Sequence, residues 1–373
     1  MSSSESSGRL IYLDGLRGVA ILLVFFFHAF ARWPDLVPYG HAYGSVPLFE
    51  YGLFGVRLFF MISGFVILLT LEKCAGFVDF MLRRWLRLFP AMLIASLLLF
   101  ASAPLFPERP GGMPTLRDLL PGLTLVDPIV WLHVFGGNQG LLEWSFWSLF
   151  AEIKFYIVFG AVYFLWGRTR AVLTIFCCFV LSVVAQAYLA HKHLNYSRAE
   201  QVLLHFDELS GFGWFGWFAC GAWFYEYFRE RSVARLAVAV GSGLIAALLT
   251  EQMYSFEIGR AVAGIVTVAA FALPLLWKLA ERVAATRLLL LFGFVSYPFY
   301  LLHEKVTISL LIKCGGLMAW VPGWVLVSIP LLTVFSAAWL IATFGEPWAR
   351  SVLRPPLDWI RLALSMRRRP TVA

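Results

Sequence analysis

Ten windows of roughly twenty predominantly apolar residues follow one another along the chain, separated by short polar or basic segments. Each window has about the length that an α-helix needs to cross a hydrocarbon core about 30 Å thick. We therefore predict an all-α polytopic membrane protein with about ten transmembrane helices. The windows lie near residues 10–31, 51–71, 88–106, 145–166, 171–190, 206–228, 234–250, 258–278, 288–311 and 321–344.

The composition excludes a large soluble domain. Of the 373 residues, 60% are hydrophobic and only 14% are charged, whereas a soluble domain carries about 25% charged residues. We divide the chain into a transmembrane domain over residues 1–345 and a basic cytoplasmic tail over residues 346–373. The five cysteines show neither metal-ligand nor paired disulfide spacing, so no metal site is expected.

Lysine and arginine are distributed unevenly between the segments that flank these windows. The segments on one side hold 19 of them, including the tail, and those on the opposite side hold 7. Because basic residues favour the cytoplasmic side, both termini are predicted to be cytoplasmic. The net charge of +8 then reflects topology, and nucleic-acid binding is not expected. Arg367, Arg368 and Arg369 are expected to contact anionic membrane lipid.

Arg17 and His28 occupy one apolar window and are separated by ten uncharged residues. Eleven helical steps return a side chain to within about 20° of the same face, with a rise of about 16 Å. An ionisable group at membrane depth costs about 2.5–3.5 kcal/mol and is usually functional. Asp14, three residues before Arg17, is most simply its ion-pair partner.

Four windows are predicted to bring a polar side chain to similar depth in the outer half of the membrane, namely His28, Arg57, Glu152 and His303. This convergence indicates a functional site. Other interpretations stay open. Either histidine could be a hydrogen-bonded structural residue, and Glu152 could neutralise Arg57 or Lys154.

Three arginines lie at the cytoplasmic entrance to the third window, in the segment RRWLRLFP. Arg87 follows Arg84 by three positions, so the two side chains share a helix face and could bind two phosphates of one ligand. Arginine suits bidentate contacts to phosphate oxygens better than lysine does. Together with Arg83, these residues could instead serve only to fix the topology.

Five segments, in order along the chain, resemble those of the membrane acyltransferase-3 family. The resemblance covers nearly the whole chain. The segments include Arg17 and His28 with ten residues between them, an R-x-x-R pair at Arg84 and Arg87, and Glu152 in a W-S-L-x-x-E-x-x-F-Y pattern. The segments are YLDGLRGVAILLVFFFHAF (residues 12–30), FGVRLFFMISGF (54–65), RRWLRLFP (83–90), WSLFAEIKFY (147–156) and SYPFYLLH (296–303).

This resemblance implies transfer of an acyl group, most simply acetyl, from cytoplasmic acyl-CoA to a hydroxyl of a sugar-containing acceptor. The chain is too short for the esterase-like domain that some members carry, so direct transfer by the membrane domain is implied. The implied contacts to acyl-CoA are Arg17, Arg83, Arg84 and Arg87. The implied contacts to the acceptor are Arg57, Tyr156 and His303.

We expect His28 to act as general base on the acceptor hydroxyl. Glu152 would orient its imidazole or stabilise the imidazolium. Arg57 or Ser63 would stabilise the oxyanion, and an acyl-histidine intermediate remains an open alternative.

Two other classes of protein compete with the enzyme. Intramembrane His, Glu and Arg also build proton relays, so a secondary transporter is the main alternative. However, the sequence lacks the inverted repeats with paired Gly- or Pro-broken helices that transporters typically show. A scaffold for polysaccharide export explains neither group of charged residues. The expected location is a bacterial inner membrane.

Overall fold

The computed structural model describes residues 10–136, 141–190, 197–252, 257–318 and 320–366. Those ranges are predominantly helical and contain no β-strand, which confirms the all-α prediction. The arginines predicted to contact lipid, Arg367 to Arg369, lie outside the described residues, so that prediction stays open.

The described chain contains fourteen α-helices of seven or more residues. One of them, Pro128–Phe135, is a short helix in a loop and is not numbered. We number the others α1 (Ile11–Phe30), α2 (Phe54–Leu71), α3 (Phe77–Ser102), α4 (Trp147–Trp166), α5 (Arg168–Ala190), α6 (Arg198–Ser210), α7 (Phe215–Glu230), α8 (Val233–Gln252), α9 (Ile258–Leu276), α10 (Lys278–Ala284), α11 (Arg287–Leu317), α12 (Ser328–Leu340) and α13 (Glu346–Met366). A π-helical segment, Ile341–Gly345, joins α12 to α13.

Eight helical stretches in the described part of the chain are long and apolar enough to cross a membrane. A ninth is formed if α10 and α11, which meet at a bend of 59°, are counted as one span. These helices make the protein an integral membrane protein, as predicted. Nine of the ten predicted windows coincide with one of these stretches.

The predicted window at 206–228 is not one helix. Asp207 and Glu208 lie near the end of α6, and Gly211 then takes a left-handed conformation with φ of 68°. α7 begins only at Phe215 and is 16 residues long. Residues 212–225 are almost entirely apolar, and they raise the average hydropathy of the whole window above that of a soluble segment. The average does not register the single glycine that ends one helix before the next begins.

The chain forms two compact units. Unit 1 comprises residues 1–69 and 168–296, and unit 2 comprises residues 70–167 and 297–373.

In unit 1, α7 is almost completely buried. Its residues Phe215 to Glu226 are all shielded from solvent. Gly221 lies against the backbone of Met61 in α2, and Gly216 lies against the ring of Phe179 in α5. These glycines let α7 approach both neighbours closely, so α7 is the central helix of the unit.

Glycines also bring α1 close to the chain around the α10–α11 bend. A Cβ on Gly15 would lie 1.6 Å from the carbonyl oxygen of Ala284, and one on Gly18 would lie 2.1 Å from that of Leu289. No side chain fits at either position without displacing backbone. This close packing holds the helix that carries Arg17 and His28 against its neighbours in unit 1.

We expect Gly18→Ala to lower the melting temperature of the purified protein, because overpacking a tight contact costs about 1–3 kcal/mol. Gly241→Ala in α8 is the matched control, since a Cβ there meets nothing within 4 Å. Alanine in an open helical position stabilises by up to about 1 kcal/mol. Equal melting temperatures for the two variants would contradict the close-packing account.

Unit 2 is built on α3 and α4, with α13 packed against α3. Gly160 of α4 lies against the ring of Phe80 in α3, and Gly345, just before α13, lies against Ile94 of α3. The segment between α3 and α4 contains short helical turns. One of them places Gly122 against Ser96 of α3, so this segment is packed onto the unit.

Candidate active site

Arg17 forms an ion pair with Asp14 one helical turn earlier, at 2.7 Å between Nη1 and Oδ1. Both side chains are partly buried, with exposed fractions of 25% and 14%. α1 is continuous from Ile11 to Phe30, so Arg17 and His28 do lie on one helix. The backbone separation between them is about 16 Å.

The backbone of α1 sets the tautomer of His28. Nδ1 of the half-buried ring lies 2.9 Å from the carbonyl oxygen of Val24, one turn earlier. A carbonyl oxygen can only accept a hydrogen bond, so Nδ1 must carry the proton. In the neutral ring, Nε2 then has the lone pair that a general base requires.

The contact with Val24 lies within α1 and accounts for Nδ1 only. Glu152 was expected to orient the imidazole of His28 or to stabilise the imidazolium, as the carboxylate does in hydrolase triads. Both roles stay predictions.

Arg57 is buried near the start of α2, with only 6% of its surface exposed. Its guanidinium lies over the rings of Phe54 and Trp214, at 5.2 Å and 4.8 Å from the ring centroids. A guanidinium held between aromatic faces keeps its charge at low solvent exposure. Arg57 and His28 both belong to unit 1.

In unit 2, Glu152 accepts a hydrogen bond from the hydroxyl of Tyr156, one turn later in α4, at 2.5 Å. The guanidinium of Arg84 lies 5.9 Å from the centroid of the Tyr156 ring, and its Nη2 donates to Thr70 Oγ1 at 2.9 Å. Three residues singled out from the sequence (Arg84, Glu152 and Tyr156) therefore adjoin one another. Lys154, by contrast, forms an ion pair with Asp127 at 2.7 Å.

The other two arginines of the cluster on α3 have acidic partners. Arg87 lies 3.8 Å from Glu346, a buried residue at the start of α13 that also contacts Arg350. Arg83 pairs with Asp79 on an exposed face. Glu346 lies in the segment assigned to the basic tail, and no pattern in the sequence indicates that this carboxylate contacts Arg87.

His303 is completely buried in α11. Its Nδ1 lies 2.7 Å from the carbonyl oxygen of Tyr300. The Tyr300 hydroxyl in turn lies 2.7 Å from Ser148 Oγ and donates to the carbonyl of Ser145. This geometry favours the structural alternative for His303, and its role in binding the acceptor stays a prediction.

Sequence reasoning missed a buried charged network that joins α11 to the segment before α4. The backbone N–H of Lys305 donates to Glu143, and its ammonium donates to the carbonyl of Leu141. Arg109 donates to the carbonyl of Leu142 at 3.0 Å. Burial raises the pKa of Glu143 well above its usual range and lowers that of Arg109. Lys305 lies two residues after the end of the histidine motif at His303, and this position in an apolar helix could have suggested a buried acidic partner.

The residues predicted to form the site are divided between the two units. Asp14, Arg17, His28 and Arg57 belong to unit 1, whereas Arg83, Arg84, Arg87, Glu152, Tyr156 and His303 belong to unit 2. Within each unit the contacts above define a local arrangement. The predicted convergence of all four helices at one depth stays a prediction. No cluster of three or more His, Cys, Asp or Glu suited to a metal occurs among the described residues.

Together these features define a polytopic membrane protein with intramembrane acid–base and cationic groups. The model of the acyltransferase-3 family, described as an acyltransferase domain, matches residues 10–351. The chain belongs to this family. No solved structure matches it.

Two curated relatives match parts of the chain. The "Putative O-acetyltransferase SACOL0978" of Staphylococcus aureus is 27% identical over 162 residues, which is 40% of this chain and 24% of that protein. "Acyltransferase MdmB" of Streptomyces mycarofaciens is 31% identical over 159 residues, which is 42% of this chain and 39% of that protein. The chain thus spans well under half the length of either relative.

Proposed function

We propose that this protein is an O-acyltransferase that moves an acyl group, most simply acetyl, from acyl-CoA to a hydroxyl of a carbohydrate or glycosylated acceptor. The observation that carries the proposal is the 2.9 Å contact between His28 Nδ1 and the carbonyl oxygen of Val24. Because a carbonyl oxygen only accepts hydrogen bonds, this contact places the proton on Nδ1 and makes Nε2 the basic nitrogen of the neutral ring. Membership in the acyltransferase-3 family supports the reaction class. The names of the two relatives agree with it.

In the proposed reaction, Nε2 of His28 takes the proton of the acceptor hydroxyl as its oxygen attacks the thioester carbonyl carbon. The tetrahedral intermediate collapses by breaking the carbon–sulfur bond, and the imidazolium returns the proton to the leaving thiolate. The products are an ester and coenzyme A. The buried cation of Arg57, in the same unit as His28, is suited to stabilise the oxyanion.

Acyl-CoA, the acyl donor, is proposed to bind through Arg84 and Arg87, whose guanidinium groups would contact its phosphate oxygens. The Nε–H of Arg84 is buried and has no hydrogen-bond partner among the described residues. A buried donor of this kind costs free energy unless a ligand satisfies it. The proposed location is a bacterial inner membrane, with acyl-CoA on the cytoplasmic side.

We expect the purified full-length protein in lipid nanodiscs to release free coenzyme A from acetyl-CoA when a hydroxyl acceptor is present. The measurement is thiol release together with transfer of labelled acetyl to a panel of methyl glycosides and lipid-linked sugars. A secondary transporter would leave the thioester intact. Intact acetyl-CoA with every acceptor of the panel would therefore contradict the proposed reaction.

A further inference from the structure

Unit 1 contains a polar pocket that no sequence motif indicated. It has a volume of about 130 Å³ and lies between the end of α5, the end of α6 and the end of α8. We call it the α6 pocket and define it by Gln186, Asp207, Trp214 and Thr250. Its lining combines the carboxylate residues Asp207 and Glu208, an amide and a hydroxyl with one large aromatic ring.

Asp207 is held in a fixed orientation in this pocket. Ser182 Oγ donates to one carboxylate oxygen and Gln186 Nε2 to the other, each at 2.5 Å. The residue is buried, with 9% of its surface exposed. An ionised carboxylate has about four acceptor positions, so two of them remain after these bonds.

The environment of Thr250 independently indicates that the pocket binds a ligand. The residue is only 1% exposed, it lines the pocket, and its hydroxyl has no hydrogen-bond partner among the described residues. A buried hydroxyl without a partner is costly and calls for an explanation. A ligand hydroxyl in the pocket would supply the missing hydrogen bond.

Trp214 connects the pocket to the end of α1 that carries His28. Its ring lies under the guanidinium of Arg57 at 4.8 Å. The chain at the start of α2 in turn packs on the last third of α1, where a Cβ on Gly52 would lie 3.0 Å from Cβ of Phe27. His28 and the α6 pocket therefore lie at the same end of unit 1. The distribution of basic residues predicts that this end faces outward.

We propose that the α6 pocket binds a sugar ring of the acceptor. Ring hydroxyls would donate to Asp207 and bond to Thr250, and the apolar face of the ring would pack on the indole of Trp214. Because engineered cavities of about 150 Å³ hold the smaller benzene ring, a pocket of about 130 Å³ would receive one edge of a sugar ring with its hydroxyls rather than enclose the whole sugar. This inference extends the proposed function. It rests on that function only in identifying the bound sugar as the acceptor of the acyl group.

The experiment measures binding without chemistry. Saturation-transfer NMR on the full-length protein in nanodiscs would use methyl β-glucoside as probe and cyclohexanol as the ring that lacks most hydroxyls. We expect the glucoside to bind more tightly than cyclohexanol. Thr250→Val should weaken glucoside binding by about fivefold, and Trp214→Ala by tenfold or more.

Thr250→Val also separates a ligand role from a structural one. Because the Thr250 hydroxyl has no hydrogen-bond partner within the part of the chain that the structure describes, replacing it by a methyl group of the same shape should leave the melting temperature unchanged or raise it. Thr267→Val is the matched control, because the Thr267 hydroxyl donates to Ala263 within its own helix and does not line the pocket. The control should leave glucoside binding unchanged.

The outcomes separate this inference from the proposed function. Equal binding of glucoside and cyclohexanol, or unchanged glucoside binding in both pocket variants, would overturn the sugar site even if wild-type protein releases coenzyme A. Conversely, weakened glucoside binding in Thr250→Val with a normal melting temperature would support the site even if no coenzyme A were released.

Discussion

His28→Ala should reduce single-turnover acetyl transfer by about 10²–10⁴-fold, the usual contribution of a general base. The expected loss of rate follows from the tautomer of His28. With Nδ1 bound to the carbonyl of Val24, the basic Nε2 is lost with the ring, while the helix keeps its backbone hydrogen bonds. The measurement is the transfer of labelled acetyl from acetyl-CoA to an acceptor that wild-type protein uses.

His133→Ala is the matched control for this variant. His133 is also a helical histidine whose Nδ1 contacts the carbonyl four residues earlier, that of Ile129 at 2.7 Å, but its ring is exposed. It lies outside the five segments that resemble those of the family, so its loss should leave transfer unchanged. If His28→Ala kept a near wild-type rate while still binding acetyl-CoA, His28 would be a structural residue and the proposed mechanism would be wrong.

The fold was largely predictable because membrane helices are constrained by length and hydropathy alone. The exception, the window at 206–228, shows the limit of that reasoning. A sliding average cannot detect that Gly211 takes a left-handed conformation and ends α6. The turn that it creates places Asp207 and Trp214 in the same pocket, which no periodic pattern could indicate.

The individual site residues were easier to predict than their contacts. Arg17 with Asp14 and Glu152 with Tyr156 are one helical turn apart, so spacing alone brings their side chains together. Arg87 and Glu346 are far apart in the sequence, and their contact depends on how α13 packs against α3 within unit 2. Long-range pairs of this kind leave no periodic trace in a single sequence.

Arg84→Ala combined with Arg87→Ala should weaken binding of coenzyme A by about 100-fold or more, because each charge-assisted hydrogen bond contributes about 1.5–3 kcal/mol. Arg84→Lys should recover only part of the loss, since an ammonium cannot make the bidentate contact of a guanidinium. The measurement is isothermal titration of coenzyme A into the nanodisc-embedded protein.

S-acetyl-pantetheine, which carries the thioester arm without the nucleotide phosphates, gives the decisive comparison. If the two arginines bind phosphate, the double variant should lose affinity for coenzyme A but bind S-acetyl-pantetheine as wild-type does. Lys73→Ala controls for the loss of charge, because Lys73 is an exposed cation in the turn before α3. Unchanged affinity for coenzyme A in the double variant would leave these arginines with a role only in membrane topology. Equal losses for both ligands would instead indicate that removing Arg87 from buried Glu346 has disturbed the packing of α13 on α3.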